Sequence, residues 1–456
     1  MYKLTLSVSP DNGRIITGIN YFLQERRRFA MNSQVISNNT KGISNKKKFF
    51  MVFICMFMQA IPFGIAQNIQ PLFIPYVIKQ FGFSLAGFSL IFTFGAIASA
   101  AFSPFLGKLF GKINIKILFL VGSTLSAVGF IGFGFSHNLT QFYVFSAIQQ
   151  IGCVLFSGLG VPYVINHWFP KEGRGKALGI AFSGGSIGNV FLQQITSQML
   201  ASKGATYSYI FFGIVAIICS LPIVLLFIRL PKVGEVEVVS NDEVVEENES
   251  KGFEGLGAKA ARQNKYFWLF SIGYAIIAIS ISALSTQYAT YFTGELGLSA
   301  TLVGTLGSVF AMFCLIGNVV GGALFDKIGT LKTMTISMIL EAIAVFALLF
   351  SVKIHGLAFF FSIAYGLNVY SYMSAPAFMA TDVFGKKESS VILGTISLLF
   401  ALGFAFGSTL FGMVVDNFGF NIAWILMLVC IFVGYALLLT SIKKVKAQNA
   451  SIEARQ

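Results

Sequence analysis

Apolar residues in this chain do not alternate with polar ones; they come in long runs of membrane-crossing length. A helix needs about 20 apolar residues to cross a bilayer. Twelve runs qualify, at roughly 49–70, 84–106, 116–136, 140–165, 176–199, 207–229, 266–292, 299–324, 333–353, 356–380, 391–414 and 419–440. Six fall on each side of a polar stretch at 231–264. The pattern predicts an all-α membrane protein with twelve transmembrane helices. Its parts are a tail at 1–45, a six-helix half at 46–230, a linker at 231–264, a second six-helix half at 265–442 and a tail at 443–456.

Composition removes the alternatives. The chain is 55% hydrophobic and 11% charged, where a soluble domain carries about 25% charge. Charge also gives an orientation. One side of the runs holds only Lys79, Lys203 and Lys353, and the other 29 of the 32 basic residues lie at or beyond the opposite ends. Lys and Arg favour cytoplasmic loops, so both termini are predicted to be cytoplasmic. The net charge of +14 is this asymmetry. Spread over many short loops, it argues against a nucleic-acid surface. The linker stretch "GEVEVVSNDEVVEENES" carries seven acids within 235–249 and no apolar period, so it reads as solvated chain. The first 45 residues hold no apolar stretch of signal-peptide length. Met31 is a candidate start, because "ERRR" just before it is what a translated purine-rich ribosome-binding sequence would give.

The chain repeats itself. Gly107 pairs with Gly322, Phe169 with Phe384 and Gly179 with Gly394, always at an offset of 215 residues. Two halves of this kind are a transporter signature. The stretch "GALFDKIGTLK" at 322–332 resembles the G-x-L-x-D-[RK]-x-G-[RK] motif of the major facilitator superfamily, through Gly322, Leu324, Asp326, Lys327, Gly329 and Lys332. The first copy keeps Gly107, Leu109, Lys112 and Lys116, but Gly111 replaces the Asp and Asn114 the second Gly. The resemblance spans about 46–445. It implies the major facilitator fold and transport by alternating access. It also implies a latch: a carboxylate at a helix end pairs with a cation or helix N-terminus across the halves in one state and releases it in the other. Gly107, Lys112, Arg174, Gly322, Asp326 and Lys327 are its expected parts. Gly111 has no carboxylate, so the first latch should be weaker and the outward-facing state less favoured.

A finer resemblance lies in "NHWFPKEGRGKALGIAFSGGSIGNVF". Trp168, Phe169, Pro170, Arg174, Gly175, Ala177, Gly179, Ile180 and Ala181 match a pattern of the oxalate/formate antiporter and monocarboxylate transporter branch. That branch tends to hold a substrate carboxylate with an Arg in the eighth helix. Here Asn318 stands in that place, and residues 391–414 carry no charge. Asn offers only neutral hydrogen bonds, where a bidentate Arg grips a carboxylate. A substrate with a diffuse or peripheral anion, or a neutral one, therefore fits better than a small dicarboxylate.

In the implied fold the first, fourth, seventh and tenth helices line the cavity. Polar residues on them mark the wet face. These are Gln59, Gln67 and Gln70, with Phe63; Gln149 and Gln150; Tyr274, Gln287, Tyr288 and Tyr291; and Tyr365, Asn368 and Tyr372. Asn189 and Gln193 add to them from the fifth. Small-residue pairs at Gly184/Gly188, Gly317/Gly321, Gly403/Gly407 and Gly95/Ser99 fit sliding contacts between the halves, and static packing fits them equally well. Glu341 is the acid in mid-membrane, on a ninth helix that the resemblance makes peripheral. His137, His167 and His355 sit near run ends. Cys55, Cys153, Cys219, Cys314 and Cys430 each stand alone in apolar surroundings and read as packing residues. Neither a metal site nor a cofactor is expected. No catalytic or phosphate-loop motif is present, so the chain reads as a carrier and not an enzyme.

The expected function is secondary transport of an organic anion, by exchange or facilitated passage. A monocarboxylate or an amphipathic acid such as a conjugated bile salt is the expected cargo. An efflux carrier for neutral or drug-like compounds is the alternative, and a non-transporting sensor a third. A monomer in a bacterial plasma membrane is expected, since many Phe and Lys with few Arg suit an AT-rich genome.

Overall fold

The computed structural model describes residues 46–169, 173–232, 235, 257–385 and 388–453. Met31, Pro170, Lys171, Lys386, Lys387 and most of the acidic linker lie outside these. The described chain is helical throughout: α1 (Lys46–Phe81), α2 (Leu85–Gly107), α3 (Ile115–Gly134), α4 (Leu139–Trp168), α5 (Arg174–Leu226), α6 (Ala258–Gln263), α7 (Lys265–Glu295), α8 (Ala300–Ser351), α9 (Leu357–Met373), α10 (Ala375–Phe384) and α11 (Ser389–Glu453). Eight of them are long and apolar enough to cross a membrane.

Three are far longer than one crossing needs, at 53, 52 and 65 residues for α5, α8 and α11. Each breaks at a glycine in the left-handed region: Gly204 (φ 80°), Gly329 (φ 76°) and Gly419 (φ 80°). Glycine reaches positive φ without a Cβ clash, so the chain changes direction there cheaply.

Three boundaries differ from the sequence reading, and the largest shift is at the end, where the last run stops at 440 but α11 stays helical to Glu453. The first run ends near 70, but α1 continues to Phe81. Pro62, Pro71 and Pro75 look like helix breakers, since each lacks an N–H. Instead, the stretch Gln59–Asn68 around Pro62 widens into a π-helix and the chain stays helical. The tenth run, 356–380, is cut into α9 and α10 with turns near Asn368 and Ser374. Pro376 causes the second, because its ring crowds the carbonyl four residues back.

The helix ends gather at two poles. At one pole, Gln80 bonds Thr206 at 3.3 Å, and the Tyr291 hydroxyl donates to the Leu348 carbonyl at 2.9 Å. We call it the far pole. The other, the terminal pole, holds both described chain ends. There the Trp168 indole N–H donates to the Arg229 carbonyl at 3.0 Å, with the Arg229 guanidinium 4.9 Å from its ring centroid. Arg229 also grips Glu235, which Lys47 joins at 2.8 Å. Hydrogen bonding from Arg229 foremost holds the Glu235 carboxyl well below the usual carboxylate range. Trp168 of the "WFP" pattern thus anchors the start of the linker. In the second half, Asp382 accepts from Lys446 at 2.7 Å and from Thr330.

The outer surface is apolar, with Phe105, Phe191, Leu226 and Val319 each about two-thirds exposed or more. In a soluble chain so much exposed apolar surface would be a liability.

The small-residue pairs pack inside the halves. A Cβ on Gly184 or Gly188 would lie 2.0 Å from a carbonyl oxygen of α1, on Met56 or Ala60 respectively. Gly403 and Gly407 meet the Ala275 and Ile279 carbonyls of α7, Gly317 meets α9 at Leu367, and Gly95 meets α4 at Gln150. The static-packing reading is the one that holds. The surfaces between the halves are built from other residues.

Candidate functional site

Those other residues form a polar seam. From the first half, Ser89 and Thr93 of α2 face α7 and α11. The Gln287 amide donates to Ser89 at 2.9 Å, and the Thr93 hydroxyl donates to the Ala405 carbonyl at 2.6 Å. The Ser308 hydroxyl donates to the Val190 carbonyl at 2.6 Å, and Ser197 bonds the Ala300 carbonyl. Asp416 completes the seam. Its two carboxylate oxygens accept the Leu85 and Ala86 backbone N–H groups at 3.0 and 2.8 Å. These N–H groups start α2, where helical partners are missing and the helix dipole favours an anion.

Among the described residues, all hydrogen bonds joining the halves lie in this seam, in the far-pole half of the helices. Toward the terminal pole the halves part. Residues 96–107 of α2 hold no buried side chain, and Met373 is 66% exposed. The result is a wedge, sealed at the far pole and open at the terminal pole.

Most of the candidate cavity residues gather around the apex of this wedge, on α1, α4, α5, α7, α8 and α9; Tyr291 instead bonds the Leu348 carbonyl at the far pole, and Asn368 turns away from the seam to Ser337 and Glu341. Most already satisfy one another. Gln67 donates to Gln150 at 2.7 Å, and Gln149 donates to the Ala66 carbonyl at 2.6 Å and to Gln70 at 3.3 Å. Gln193 donates to the Asn68 carbonyl at 2.9 Å and to Asn189 at 3.0 Å, and accepts from the Tyr288 hydroxyl of the other half at 3.1 Å. The Tyr365 hydroxyl donates to the Ile281 carbonyl at 2.8 Å, and its ring stacks on Phe310 with centroids 5.3 Å apart. Gln59 accepts from Ser157 at 3.0 Å, while its buried amide nitrogen has no partner. An amide in that condition is costly, and a ligand hydrogen-bond acceptor would relieve it. Phe63, Gln67, Asn318 and Tyr372 are half-buried and are the most accessible of the set. α1 and α4 carry π-helical stretches here, Gln59–Asn68 and Val154–Gly160, a distortion frequent at functional sites.

The expected latch parts are apart. Lys112, Arg174, Asp326 and Lys327 are all exposed at the terminal pole, and none makes an ion pair among the described residues. A Cβ on Gly107 or Gly322 would meet nothing within 4 Å. Gly111, in the place of the missing Asp, has φ +81°.

Sequence reasoning missed Asp416. The signal was present: it is the only acid between Glu388 and Glu453. It lies just past an uncharged run and looked like loop. Asp416→Asn should weaken the seal by roughly 1 kcal/mol, about a fivefold population shift. Spin labels at Lys203 and Lys353, both exposed near the far pole, would then report a longer mean distance. An unchanged distribution would remove Asp416 from the seal.

A two-lobed helical bundle with a polar path closed at one end is the architecture of an alternating-access carrier. The chain belongs to the Major Facilitator Superfamily, whose family model matches residues 49–293 and 270–455. It is 24% identical over 415 residues to the oxalate:formate antiporter of Oxalobacter formigenes, covering 89% of this chain and 94% of that one. It is 23% identical over 393 residues to a phosphoglycerate transporter protein of Salmonella typhimurium, covering 80% and 83%. Among solved structures, a bacterial homologue of the human lysosomal transporter Spinster, inward-facing and unoccupied, superposes with a TM-score of 0.70 at 16% identity, covering 88% and 98%. The nucleoside transporter NupG does so with a TM-score of 0.65 at 14% identity, covering 86% and 98%. The chain is a membrane transporter of this superfamily and not an enzyme.

Proposed function

We propose that this protein carries an organic anion across a bacterial plasma membrane by alternating access, in exchange or facilitated mode. The glycine breaks in α5, α8 and α11 split each into two crossings, so the chain crosses twelve times; the bias of Lys and Arg puts both ends in the cytoplasm, and we take the carrier to be a monomer. The observation that carries the reading is the wedge: halves sealed by hydrogen bonds at the far pole and splayed at the basic terminal pole. With the basic pole cytoplasmic, this is the inward-open state.

Lys112, Arg174 and Lys327 are exposed at that pole, and its positive charge attracts anions toward the opening. Two relatives whose names state anionic cargo support the class. The apex itself offers amides, tyrosines and Asn318, with no Arg or Lys. It suits an amphipathic acid whose charge stays near the basic mouth, such as a conjugated bile salt, better than a small dicarboxylate. Asp326 is a latch that engages when the terminal pole closes.

Counterflow in proteoliposomes tests this. Vesicles preloaded with unlabelled formate, lactate, oxalate or taurocholate are followed for uptake of the labelled acid. Trans-stimulation by any of them supports the reading. If intact protein responds to none, the anion reading fails and the efflux of neutral compounds takes its place.

A further inference from the structure

Glu341 is wholly buried on the part of α8 after Gly329, away from the seam. Burying an unpaired carboxylate is expensive. No cation pairs with Glu341 among the described residues; it is met by hydroxyls and one amide. The contacts form a chain. Ser280 of α7 lies 2.6 Å from Oε1 of Glu341 and 2.7 Å from the Ile277 carbonyl. The Tyr435 hydroxyl of α11 lies 3.0 Å from Oε2 of Glu341 and 2.6 Å from Ser337, and Ser337 lies 2.6 Å from Oδ1 of Asn368. The Asn368 amide nitrogen closes the ring at 3.4 Å from Oε2 of Glu341.

Count the protons. Each close O···O contact needs one hydrogen between its atoms. Five contacts share the hydroxyl hydrogens of Ser280, Ser337 and Tyr435, which are three. A hydrogen on Glu341 supplies a fourth, so that Glu341 donates to Tyr435, Tyr435 to Ser337 and Ser337 to Asn368, while Ser280 shares its one hydrogen between Glu341 and the Ile277 carbonyl. In the ionised form Ser280, Tyr435 and Asn368 can each turn a hydrogen toward the carboxylate, and Ser337, with one hydrogen, then keeps either Tyr435 or Asn368 but not both. A structural acid needs one arrangement; this cluster has two. Asn368, at the end of the chain, sits at the first turn between Leu357–Leu367 and Tyr370–Met373. Movement at that turn would pull Asn368 away from Ser337 and Glu341.

We propose that Glu341 is a proton-binding site of the transport cycle, with Asn368 linking its occupancy to the bend in α9. Proton release breaks the carboxyl O–H bond and passes the proton to water entering from the open pole. Tyr435 and Asn368 then turn their hydrogens to the carboxylate. Among the described residues the titratable groups facing Glu341 are tyrosines: Tyr274 on α7, Tyr365 and Tyr372 on α9, and Tyr435 on α11. None is charged near neutrality, so a lone carboxyl carries the response.

This rests on the transporter reading, so the first measurement uses no substrate. Infrared difference spectra of reconstituted wild type and Glu341→Gln, recorded at neutral and alkaline pH, should differ by one protonated-carboxyl band that fades with rising pH. Tyr435→Phe, which keeps the ring and removes the hydroxyl, should shift that band. Absence of the band at neutral pH overturns the proposal. Transport is the second readout, with taurocholate and oxalate as probes. A one-unit pH gradient, acid outside, is worth about tenfold accumulation for one coupled proton. Wild type should show that gain, and Glu341→Gln should lose it while keeping counterflow. Equal gradient-driven accumulation in both proteins overturns the proposal. If wild type carries neither probe, the infrared result decides alone.

Discussion

Gly412→Val should leave the protein folded and stop it carrying substrate. Gly412 lies on α11 against the first turn of α2, so two backbones from opposite halves touch. A Cβ there would fall 2.7 Å from the Ala86 nitrogen, 2.8 Å from its Cα and 3.0 Å from the Leu85 carbonyl carbon. No flexible side chain stands there to move aside. Inserting bulk at a packed contact costs about 1–3 kcal/mol. Because the contact joins the halves, this cost falls on the far-pole-sealed state alone. The halves should part at the far pole, by a population shift of about 5- to 150-fold. Asp416, one turn along α11, loses its grip on the Leu85 and Ala86 N–H groups in the same movement. Two measurements check this: distances between labels at Lys203 and Lys353 should lengthen, and the size-exclusion profile should stay that of wild type. Wild-type distances would show that the α2 N-terminus yields instead.

That contact could not be read from the sequence, and the reason is physical. Hydrophobicity marks a membrane-length run by itself, so the helical segments were legible from Phe49 onward. The glycine breaks at 204, 329 and 419 fall in or beside the short gaps between runs, at 199–207, 324–333 and 414–419. Pro71 and Pro75 lie past the end of the first run, and α1 stays helical through both despite their missing N–H. The candidate site was legible as residue types: an amide at helical spacing in an apolar run must find a partner. The sequence does not say which partner. Gln67 found Gln150 and Tyr288 found Gln193, and both choices depend on helix rotation, which no single segment encodes. Asp416 shows the same limit, because its partner is a backbone 330 residues away. A backbone N–H has no sequence signature.

The glycine pairs carry this limit furthest, and Gly188→Val is its sharpest test. Gly188 and Gly412 look alike in sequence, small residues within apolar helices. Gly188, however, lies on α5 against α1 of its own half. A Cβ there would sit 2.0 Å from the Ala60 carbonyl oxygen and 2.6 Å from its carbonyl carbon. Gly184 makes the same approach one turn earlier, to Met56. Small residues let transmembrane backbones approach this closely, and packing supplies most of the association. Within one half there is no alternative state to move to, so the overpacking cost, about 1–3 kcal/mol or more, is borne by the fold. It is a large share of a typical total stability of about 5–15 kcal/mol. Gly188→Val should therefore lose its monodisperse size-exclusion peak and most of its yield, where Gly412→Val keeps both. If Gly188→Val is well folded but conformationally shifted, then α1 and α5 slide during the cycle, and the small-residue pairs belong to the moving parts after all.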